Sequence, residues 1–385
     1  MGALNYPMAE LPQTSPATPG RKPGRKPDGE LRRGWTTGAC ATAAARAAYE
    51  ALLTGEFPDP VAIRLPRGQR AEFALAEKKL ENGTAMAGVI KDAGDDPDVT
   101  HGALVQATIA PAPAGTGVGF AAGDGVGTVT LPGLALAVGE PAINPKPREM
   151  IAAAIGEVAA EYGAEPDITV TVSIPGGAEL AERTSNARLG IVGGLSVLGT
   201  TGVVIPYSCA SWIHSIHRGI DVARATGQDH IAAATGRTSE AAMRDLYGFS
   251  EQALIDMGDF AGGLLKYLRD HPVARLTLAG GFGKLSKLAD GHLDLHSGQS
   301  QVDVARLADR LAAVGADENI VAAARQAPSA GAVMALARES GVAAELAGAV
   351  ATGAREVARA VLAGASDVEI VVIDRDGAIV GRAGF

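Results

Sequence analysis

The stretch VIKDAGDDPDVTHG, residues 89–102, holds the side chains best suited to acid–base chemistry. Asp95 and Asp96 are adjacent, and His101 follows in the same turn. Carboxylates beside a histidine can move protons or bind a hard cation. The spacing does not match the calcium-binding EF-hand loop. A merely solvated acidic turn is the more frequent outcome for such a composition.

Three glycine-rich loops are candidates for binding an anion or a nucleotide. The first, residues 123–127, runs into a strand and lacks a helix N-terminus, so a hairpin turn is favoured. The second, GGLSVLGTTG at 193–202, has the rhythm of a phosphate loop, but Thr200 replaces the lysine that should follow Gly199. The third, AGGFGKLSKLA at 279–289, follows an apolar strand and opens a helix, a context typical of ligand contact.

Backbone amides and hydroxyls of the second and third loops are the candidate cofactor contacts. They are Gly193, Gly194, Gly199, Thr200, Thr201, Gly202, Gly280, Gly281 and Gly283. The missing lysine argues against ATP hydrolysis. A tight inter-domain turn explains the second loop about as well, and fold-building glycines explain much of the third.

Two histidine sets raise the question of a metal site. Cys209, His214 and His217 lie on a predicted helix, and only the two histidines share a face. The alternating residues of 290–296, which end at His296, would share one face of a strand. Neither set has zinc-site spacing, so we expect no protein metal site.

Composition limits the class of protein. The chain has 385 residues, a net charge of −9 and two cysteines. The charge argues against nucleic acid as a main partner, and the low cysteine count favours a reducing, cytoplasmic compartment. No apolar run reaches the length of a membrane span, so no membrane partner is expected. No nucleophile elbow or Ser/His/Asp order supports acyl transfer.

The pattern of elements predicts two domains behind a disordered basic leader. The leader, residues 1–30, is rich in proline and glycine and repeats GRKP. An α+β N-terminal domain is expected over 31–190. It begins with an alanine-rich helix after Thr36, followed by strands at 61–65, 71–80, 84–93, 103–110 and 126–131, a helix at 147–162 and a strand at 167–174.

A Rossmann-like α/β domain is expected over 191–385. Helical patterns at 207–225, 237–247, 250–270 and 301–363 alternate with apolar strands at 273–280 and 368–374. Strand, turn and helix at 275–289 are the local signature of a Rossmann-like layer. The chain ends in a hairpin that turns at Asp376 and Gly377.

Six motifs in order resemble one enzyme family, the cobalt-precorrin-5B C1-methyltransferases of anaerobic cobalamin biosynthesis. The resemblance covers about residues 31–385. Its motifs are RRGWTTGACATAAARAA, VIKDAGDDPDVTHG, GDGVGTVTLPGL, GEPAINPKPREMI, IPGGAELAERTSNARLGIVGGLSVLGTTGVVIPYS and GKLSKLADGHLDLHS. The resemblance implies methyl transfer from S-adenosylmethionine to C1 of a corrin-ring precursor, and an α+β domain followed by a Rossmann-like one.

An anionic cobalt-corrinoid substrate requires a local basic pocket on this acidic chain. The candidates are Arg32, Arg33, Lys91, Arg148, Arg183, Arg188, Lys284 and Lys287. The nucleophile is a ring carbon of the substrate, so no protein nucleophile is needed. A base can still tune the macrocycle, and the candidates are Asp95, Asp96, His101 and His296.

Two other functions stay open at this point. One is a corrinoid carrier that does not turn its ligand over, and the other is a phosphotransferase that uses the 194–201 loop. Consumption of the methyl donor separates the first from an enzyme, and an ATPase assay decides the second. A homo-oligomer is compatible with the sequence.

Overall fold

A computed structural model describes residues 29–385. The first group of elements comprises β1 (Gly34–Trp35), α1 (Thr37–Thr54), β2 (Val61–Arg64), β3 (Arg70–Phe73), β4 (Glu77–Glu81), β5 (Thr84–Ile90), β6 (Leu104–Pro111), β7 (Val118–Ala122), β8 (Thr128–Val129), α2 (Pro145–Tyr162), β9 (Ile168–Ser173), α3 (Gly177–Ala181), β10 (Ile191–Val192) and β11 (Val203–Val204). We call this group the first unit. Residues 1–28 of the predicted basic leader, 1–30, lie outside the described residues.

The first unit is a five-stranded sheet backed by two helices. The strand order is β4-β5-β6-β9-β7, antiparallel except for the parallel pair β7 and β9. Helix α1 packs against α2, β5 and β6. Its buried face is mostly alanine, which lets the backbones approach closely. Thr36 caps it, because its hydroxyl accepts a hydrogen bond from Ala39 N at 3.2 Å.

The second group of elements follows in the chain and forms the second unit. It comprises α4 (Cys209–Ala225), β12 (His230–Ala234), α5 (Arg237–Tyr247), β13 (Leu254–Asp256), α6 (Ala261–Asp270), β14 (Arg275–Gly281), α7 (Phe282–Ala289), α8 (Val304–Ala313), α9 (Glu318–Arg325), α10 (Ala330–Glu339), α11 (Ala343–Leu362), β15 (Asp367–Ile373) and β16 (Ile379–Ala383).

The second unit is a three-layer sandwich around a mostly parallel sheet. The strand order is β13-β12-β14-β15-β16, and only β16 is antiparallel. Helices α4, α6, α7, α8, α10 and α11 contribute to the core on one face. Helix α5 covers the other face, where Met243 packs against Ala232, Ala279 and Val371. Parallel sheets need such cover on both faces.

The structure confirms a mixed α/β architecture with several sheets and corrects individual elements. Helix α5 spans the predicted 237–247, and the final hairpin forms. The helix predicted at 250–270 is wrong over its first part, which contains β13. The helix predicted at 301–363 is four helices, α8 to α11. Strands β7 and β12 are not predicted from the sequence. The sequence of β12, HIAAA, favours a helix by composition, and this segment is a strand only because it pairs with neighbouring strands.

The segment that follows residue 190 packs with the first unit. Val203 and Val204 pair with β1, and Ile191 and Val192 pair with β8. Leu195 and Val197 are buried in the first unit's core. We propose on this basis that the domain boundary lies near residue 205 rather than near residue 190.

Residues 29–385 contain neither a candidate membrane span nor a metal-binding cluster. No helix in this range combines the length and apolar character that crossing a membrane requires. No group of three or more histidine, cysteine or acidic side chains in the same range is arranged to hold a metal ion. His217 instead stacks on Tyr267, with ring centroids 3.9 Å apart.

Candidate functional site

The carboxyl ends of β12 and β14 lie side by side at one edge of the second sheet. Ala234 pairs with Ala279, and beyond them the chain leaves toward opposite faces. Helix α5, after β12, covers one face, whereas α7, after β14, covers the other. Open α/β sheets bind ligands in the crevice at such a reversal of strand order. The strand order therefore places a candidate ligand crevice between the ends of β12 and β14.

Two glycines at this edge have free space beside them. A Cβ atom built on Gly236 or Gly281 would meet nothing within 4 Å. These residues are the N-caps of α5 and α7, and neither helix has a side-chain cap. Their first-turn amides can therefore receive a ligand's acceptor atoms. Among the predicted glycines of 279–289, Gly280 packs on Thr235, and Gly281 is the one that faces open space.

Lys284 contacts two of the loops at this edge. Its ammonium group lies 3.0 Å from the carbonyl oxygen of Thr235 and 3.0 Å from Asp259 Oδ1. The first contact reaches the end of β12 and the second reaches the turn before α6. Lys284 is thus already satisfied, and its main effect is to fix the two loops that flank the crevice.

The glycine loop at 193–202 is an extended segment that is hydrogen-bonded to the first unit. Leu195 N donates to Gly125 O at 2.8 Å, and Gly202 O accepts from Thr36 N at 3.0 Å. A Cβ on Gly194 would lie 2.3 Å from Gly125 O, and one on Gly199 would lie 2.3 Å from Thr36 Oγ1. Close backbone packing therefore accounts for these glycines. The segment leads into β11, not into a helix, so it is not a phosphate loop.

The hydroxyls in this segment have a local role as well. Thr201 Oγ1 donates to Val203 O at 3.1 Å and accepts from Val203 N at 3.2 Å. Gly193 is an exception among the glycines, because a Cβ there would meet nothing within 4 Å. Donor contacts from Gly193, Thr200 and Thr201 stay predictions.

The acidic turn after β5 is tightly cross-linked. Asp95 accepts a hydrogen bond from Arg32 N at 2.6 Å, and Asp92 forms a two-point ion pair with the Arg32 guanidinium. That guanidinium holds the pKa of the Asp92 carboxyl at about 2. Asp96 accepts from Tyr207 N at 2.8 Å. The turn is thus fixed in place rather than merely solvated.

The two candidate histidines each present one free ring nitrogen. Nδ1 of His101 accepts from Ala93 N, and Nδ1 of His296 accepts from Gly298 N, both at 3.1 Å. Each neutral ring therefore carries its proton on Nε2. Both residues are exposed. His296 follows Leu295, whose amide donates to Asp259 O at 2.8 Å, so it stands next to the second sheet's carboxyl edge.

Most of the basic candidates are committed to other parts of the chain. Besides Arg32 and Lys284, Arg148 pairs with Glu140 at 2.7 Å and Arg188 pairs with Glu240 at 2.5 Å. The buried Lys287 donates to Leu295 O at 2.9 Å, and burial lowers its pKa. These contacts favour structural roles.

Lys91 is the clearest correction among the basic residues. Only 1% of it is exposed, and its ammonium group contacts Asp98 and Thr100 Oγ1. Burial raises the pKa of Asp98, but the ion pair with Lys91 and the hydrogen bonds lower it more. As folded, Lys91 cannot reach a substrate. Arg33 and Arg183 are the candidates that are exposed and form no ion pair within residues 29–385.

The segment 205–212 joins the acidic turn to the crevice. At one end Tyr207 N bonds to Asp96, as described above. At the other end Trp212 Nε1 donates to Asp256 O at 3.3 Å, at the carboxyl end of β13. Tyr207 and Trp212 are only five positions apart in the chain. One short segment therefore contacts both the acidic turn of the first unit and the carboxyl edge of the second sheet.

Asp256 and Trp212 are not among the sequence candidates. Asp256 ends a three-residue strand inside a stretch that reads as helix, which conceals its position at the sheet edge. Trp212 lies in the first turn of α4, where an aromatic residue reads as core; in the fold it is 45% exposed. The exposed Cys209 also lies in this segment.

Two family models match this chain, one in its first half and one near its end. Residues 24–206 match the family model described as CbiD, and residues 294–384 match the model described as CbiD, C-terminal domain. The chain belongs to the CbiD family. The first match ends close to the boundary proposed from packing, and the second covers the last helices and the final hairpin of the second unit.

Relatives of high identity carry one name, cobalt-precorrin-5B C(1)-methyltransferase. The protein of this name from Rhodospirillum rubrum is 60% identical over 355 residues, which cover 92% of this chain and 98% of that relative. The one from a Bradyrhizobium species is 60% identical, covering 91% and 93%. The one from Brucella anthropi is 58% identical, covering 92% and 96%.

A solved structure is also similar to the chain. It is described as a 1.9 Å crystal structure of the cobalamin biosynthesis protein (cbiD) from Archaeoglobus fulgidus. It is 26% identical, covers 82% of this chain and 86% of that one, and superposes with a TM-score of 0.38.

Proposed function

We propose that this CbiD-family chain methylates C1 of cobalt-precorrin-5B. The observation that carries the proposal is identity of 57–60% over more than nine-tenths of the chain to proteins with that named activity. The chain also covers nearly the whole length of those relatives. We propose that both reactants bind in a cleft between the acidic turn of the first unit and the carboxyl edge of the second sheet, which the segment 205–212 connects.

The methyl donor we propose is S-adenosylmethionine, bound at the carboxyl edge of the second sheet. We infer that this second domain is Rossmann-like. Its strand order, β13-β12-β14-β15, corresponds to the 2-1-3-4 order of flavodoxin-like doubly wound sheets. The amides at the N-termini of α5 and α7, next to Gly236 and Gly281, would donate hydrogen bonds to the carboxylate of the methionine part.

The macrocycle would lie on the first-unit side of the cleft. Its peripheral carboxylates need cations, and Arg33 and Arg183 have no ion-pair partner within the described part of the chain. Arg33 precedes β1, and Ile205, which follows β11, lies opposite it and is exposed. Such a combination suits a flat apolar ring fringed with charge. The cobalt belongs to the substrate, so no protein ligand for it is required.

The reaction itself is a displacement at carbon. The bond between the methyl carbon and the sulfonium sulfur breaks, and its electrons stay on sulfur to give a neutral thioether. The methyl carbon forms its new bond with an electron pair from C1 of the ring. Holding the two reactants in line contributes ~7–11 kcal/mol in well-oriented systems. His101, His296, Asp95 and Asp96 stand as the candidate bases that adjust the protonation of the macrocycle. We also propose a cytoplasmic location, which the two free thiols favour.

The alternatives have less support. A phosphotransferase that uses the 194–201 loop has little support, because Gly194 and Gly199 pack against Gly125 and Thr36 and so have a structural role. A non-catalytic corrinoid carrier would have no use for the donor crevice. Incubation with cobalt-precorrin-5B and S-adenosylmethionine separates these functions. An enzyme forms S-adenosylhomocysteine in step with substrate loss, a carrier forms none, and ATP in place of the donor gives no turnover.

A further inference from the structure

Asp256 differs from three neighbouring acidic side chains because it has no ion-pair partner within residues 29–385. Glu240 pairs with Arg188, Glu251 pairs with Arg244, and Asp259 pairs with Lys284. Asp256, by contrast, forms no ion pair within residues 29–385, and the residue is exposed. An accessible carboxylate without a partner, at the edge where open α/β sheets bind ligands, is a candidate acceptor for a ligand's donors.

The position of Asp256 in the sheet is specific. It is the last residue of β13 and lies beside Ala234, the last residue of β12, in a parallel register. The β12–α5 turn at Gly236 precedes it by about 20 residues, the separation at which an acidic residue reaches the ribose hydroxyls in dinucleotide-binding sheets. The glycine turn and the carboxylate thus have the relation expected of a nucleoside site.

The surroundings of Asp256 select a neutral partner. Burial and the nearby Glu240 raise the pKa of its carboxyl, while Arg188 opposes the shift. A phosphate here would face the Asp256 carboxylate and be repelled, because the nearby cations are already paired with other carboxylates. The two hydroxyls of a ribose donate hydrogen bonds without adding negative charge. The site therefore fits a nucleoside that lacks phosphate.

Trp212 provides a surface beside this carboxylate. Its Nε1 donates to the backbone oxygen of Asp256 at 3.3 Å. Three adjacent indole atoms lie 3.3–3.4 Å from the place that a Cβ on Gly258 would take, so one side of the ring lies across that glycine. The residue remains 45% exposed. An indole held by its edge, with free surface, is suited to stacking on a purine.

We propose that Asp256 and Trp212 form the nucleoside half of the methyl-donor site. Asp256 accepts hydrogen bonds from the ribose hydroxyls, and Trp212 stacks on the adenine. The inference rests on the proposed function, which requires a nucleoside-bearing donor. The inference names the residues that would recognise that nucleoside, and it gives the orientation of the donor in the site. The nucleoside lies toward β13, and the methionine part lies toward Gly281.

Calorimetric titration of the full chain with S-adenosylhomocysteine tests the ribose contact. Asp256→Asn should weaken binding about 10- to 100-fold, the range for losing hydrogen bonds to a charged group. Asp245→Asn is the matched control, since Asp245 is an exposed α5 residue, and it should bind as the parent chain does. The 2′-deoxy analogue should bind the parent weakly, and Asp256→Asn should no longer distinguish it from the parent ligand.

The aromatic contact is tested by two replacements of Trp212. Trp212→Ala should weaken binding at least fivefold, and Trp212→Phe, which keeps an aromatic face, should recover most of the loss. Circular dichroism of each variant reports whether the fold is retained. Unchanged affinity in folded Asp256→Asn, with the 2′-deoxy analogue still discriminated, would overturn the inference and leave the methyl-transfer proposal intact. Failure of the parent chain to bind the ligand even with the macrocycle present would overturn both.

Discussion

Arg188 joins the two units by donating hydrogen bonds of 2.5 and 2.7 Å to the two carboxylate oxygens of Glu240. Arg188 lies near the end of the first unit, and Glu240 lies in the first turn of α5. Burial of the pair is substantial, with 29% and 12% of the two side chains exposed. This ion pair lies next to Asp256, because both of its charges act on that carboxyl.

Removing one partner of this pair should destabilise the chain. Arg188→Ala leaves the Glu240 carboxylate without its main partner and should lower the free energy of unfolding by about 1.5–3 kcal/mol. Denaturant unfolding measures the change. Arg183→Ala is the control, because Arg183 is exposed and five residues away on the same segment. An equal loss in both variants would show that the Arg188–Glu240 pair has no special role.

The Arg32 contact should be visible in the titration of Asp92. Its folded pKa is lowered to about 2, so the carboxylate contributes stability above the ordinary pKa of aspartate, and that contribution disappears as pH falls toward 2. In Arg32→Ala the pKa of this carboxyl should rise toward its ordinary value of about 4 but stay below it, because Gly94 N still donates to Asp92 at 2.9 Å. NMR of the side-chain carboxyl gives both values. An unshifted titration in the parent chain would contradict the ion pair.

The two cysteines should differ sharply in reactivity. Burial raises the pKa of the Cys40 thiol to about 12, whereas Cys209 is exposed. A thiol reagent at pH 8 should therefore label one cysteine in the native chain and both after unfolding. Cys209→Ser should abolish native labelling. Rapid labelling of Cys40 in that variant would mean that α1 is not packed as described.

Glycine replacements in the two loops should have different effects. Gly281→Ala adds a methyl group in open space at φ −68°, so the fold should be retained, and donor affinity should fall if the donor's backbone contact is there. Gly199→Ala is strained at φ +135° and meets Thr36, so it should destabilise the fold. Calorimetry with S-adenosylhomocysteine and thermal melting separate the two effects. A stable Gly199→Ala chain with lost donor affinity would assign the donor to 193–202 instead.

The unpaired arginines should affect the macrocycle and not the donor. Arg33→Ala and Arg183→Ala should each raise KM for the corrinoid about tenfold, the scale of one charge-assisted hydrogen bond, with S-adenosylhomocysteine affinity unchanged. Arg67→Ala, in an exposed turn between β2 and β3, serves as the control. Steady-state kinetics at saturating donor give KM. If the three variants have equal KM values, these arginines do not bind the substrate.

Local patterns predict the elements whose signals are local. The alanine run after Thr36, the caps and the final hairpin carry their own signals, and each forms as expected. Strand β12 does not, because HIAAA becomes a strand only between β13 and β14. The crevice depends on that pairing, so Asp256 cannot be recognised before the sheet is known.

Candidate site residues show the same limit. Composition and family motifs select candidate basic residues, but they do not reveal which of them are already paired. Lys91 and Arg33 are both basic residues within motifs, and only the fold distinguishes them, since one is buried against Asp98 and the other is exposed. Likewise, the spacing of Gly194 and Gly199 resembles a phosphate loop, whereas their contacts with Gly125 and Thr36 give each a packing role.

Methyl transfer with a labelled donor tests the central claim most directly. The purified chain is incubated with cobalt-precorrin-5B and S-adenosylmethionine carrying a ¹³C methyl group, and the product is examined by NMR. The proposal predicts a single labelled methyl group coupled to C1 of the ring, with one S-adenosylhomocysteine formed per product. Label at another ring position, or binding of the macrocycle without any transfer, would contradict it.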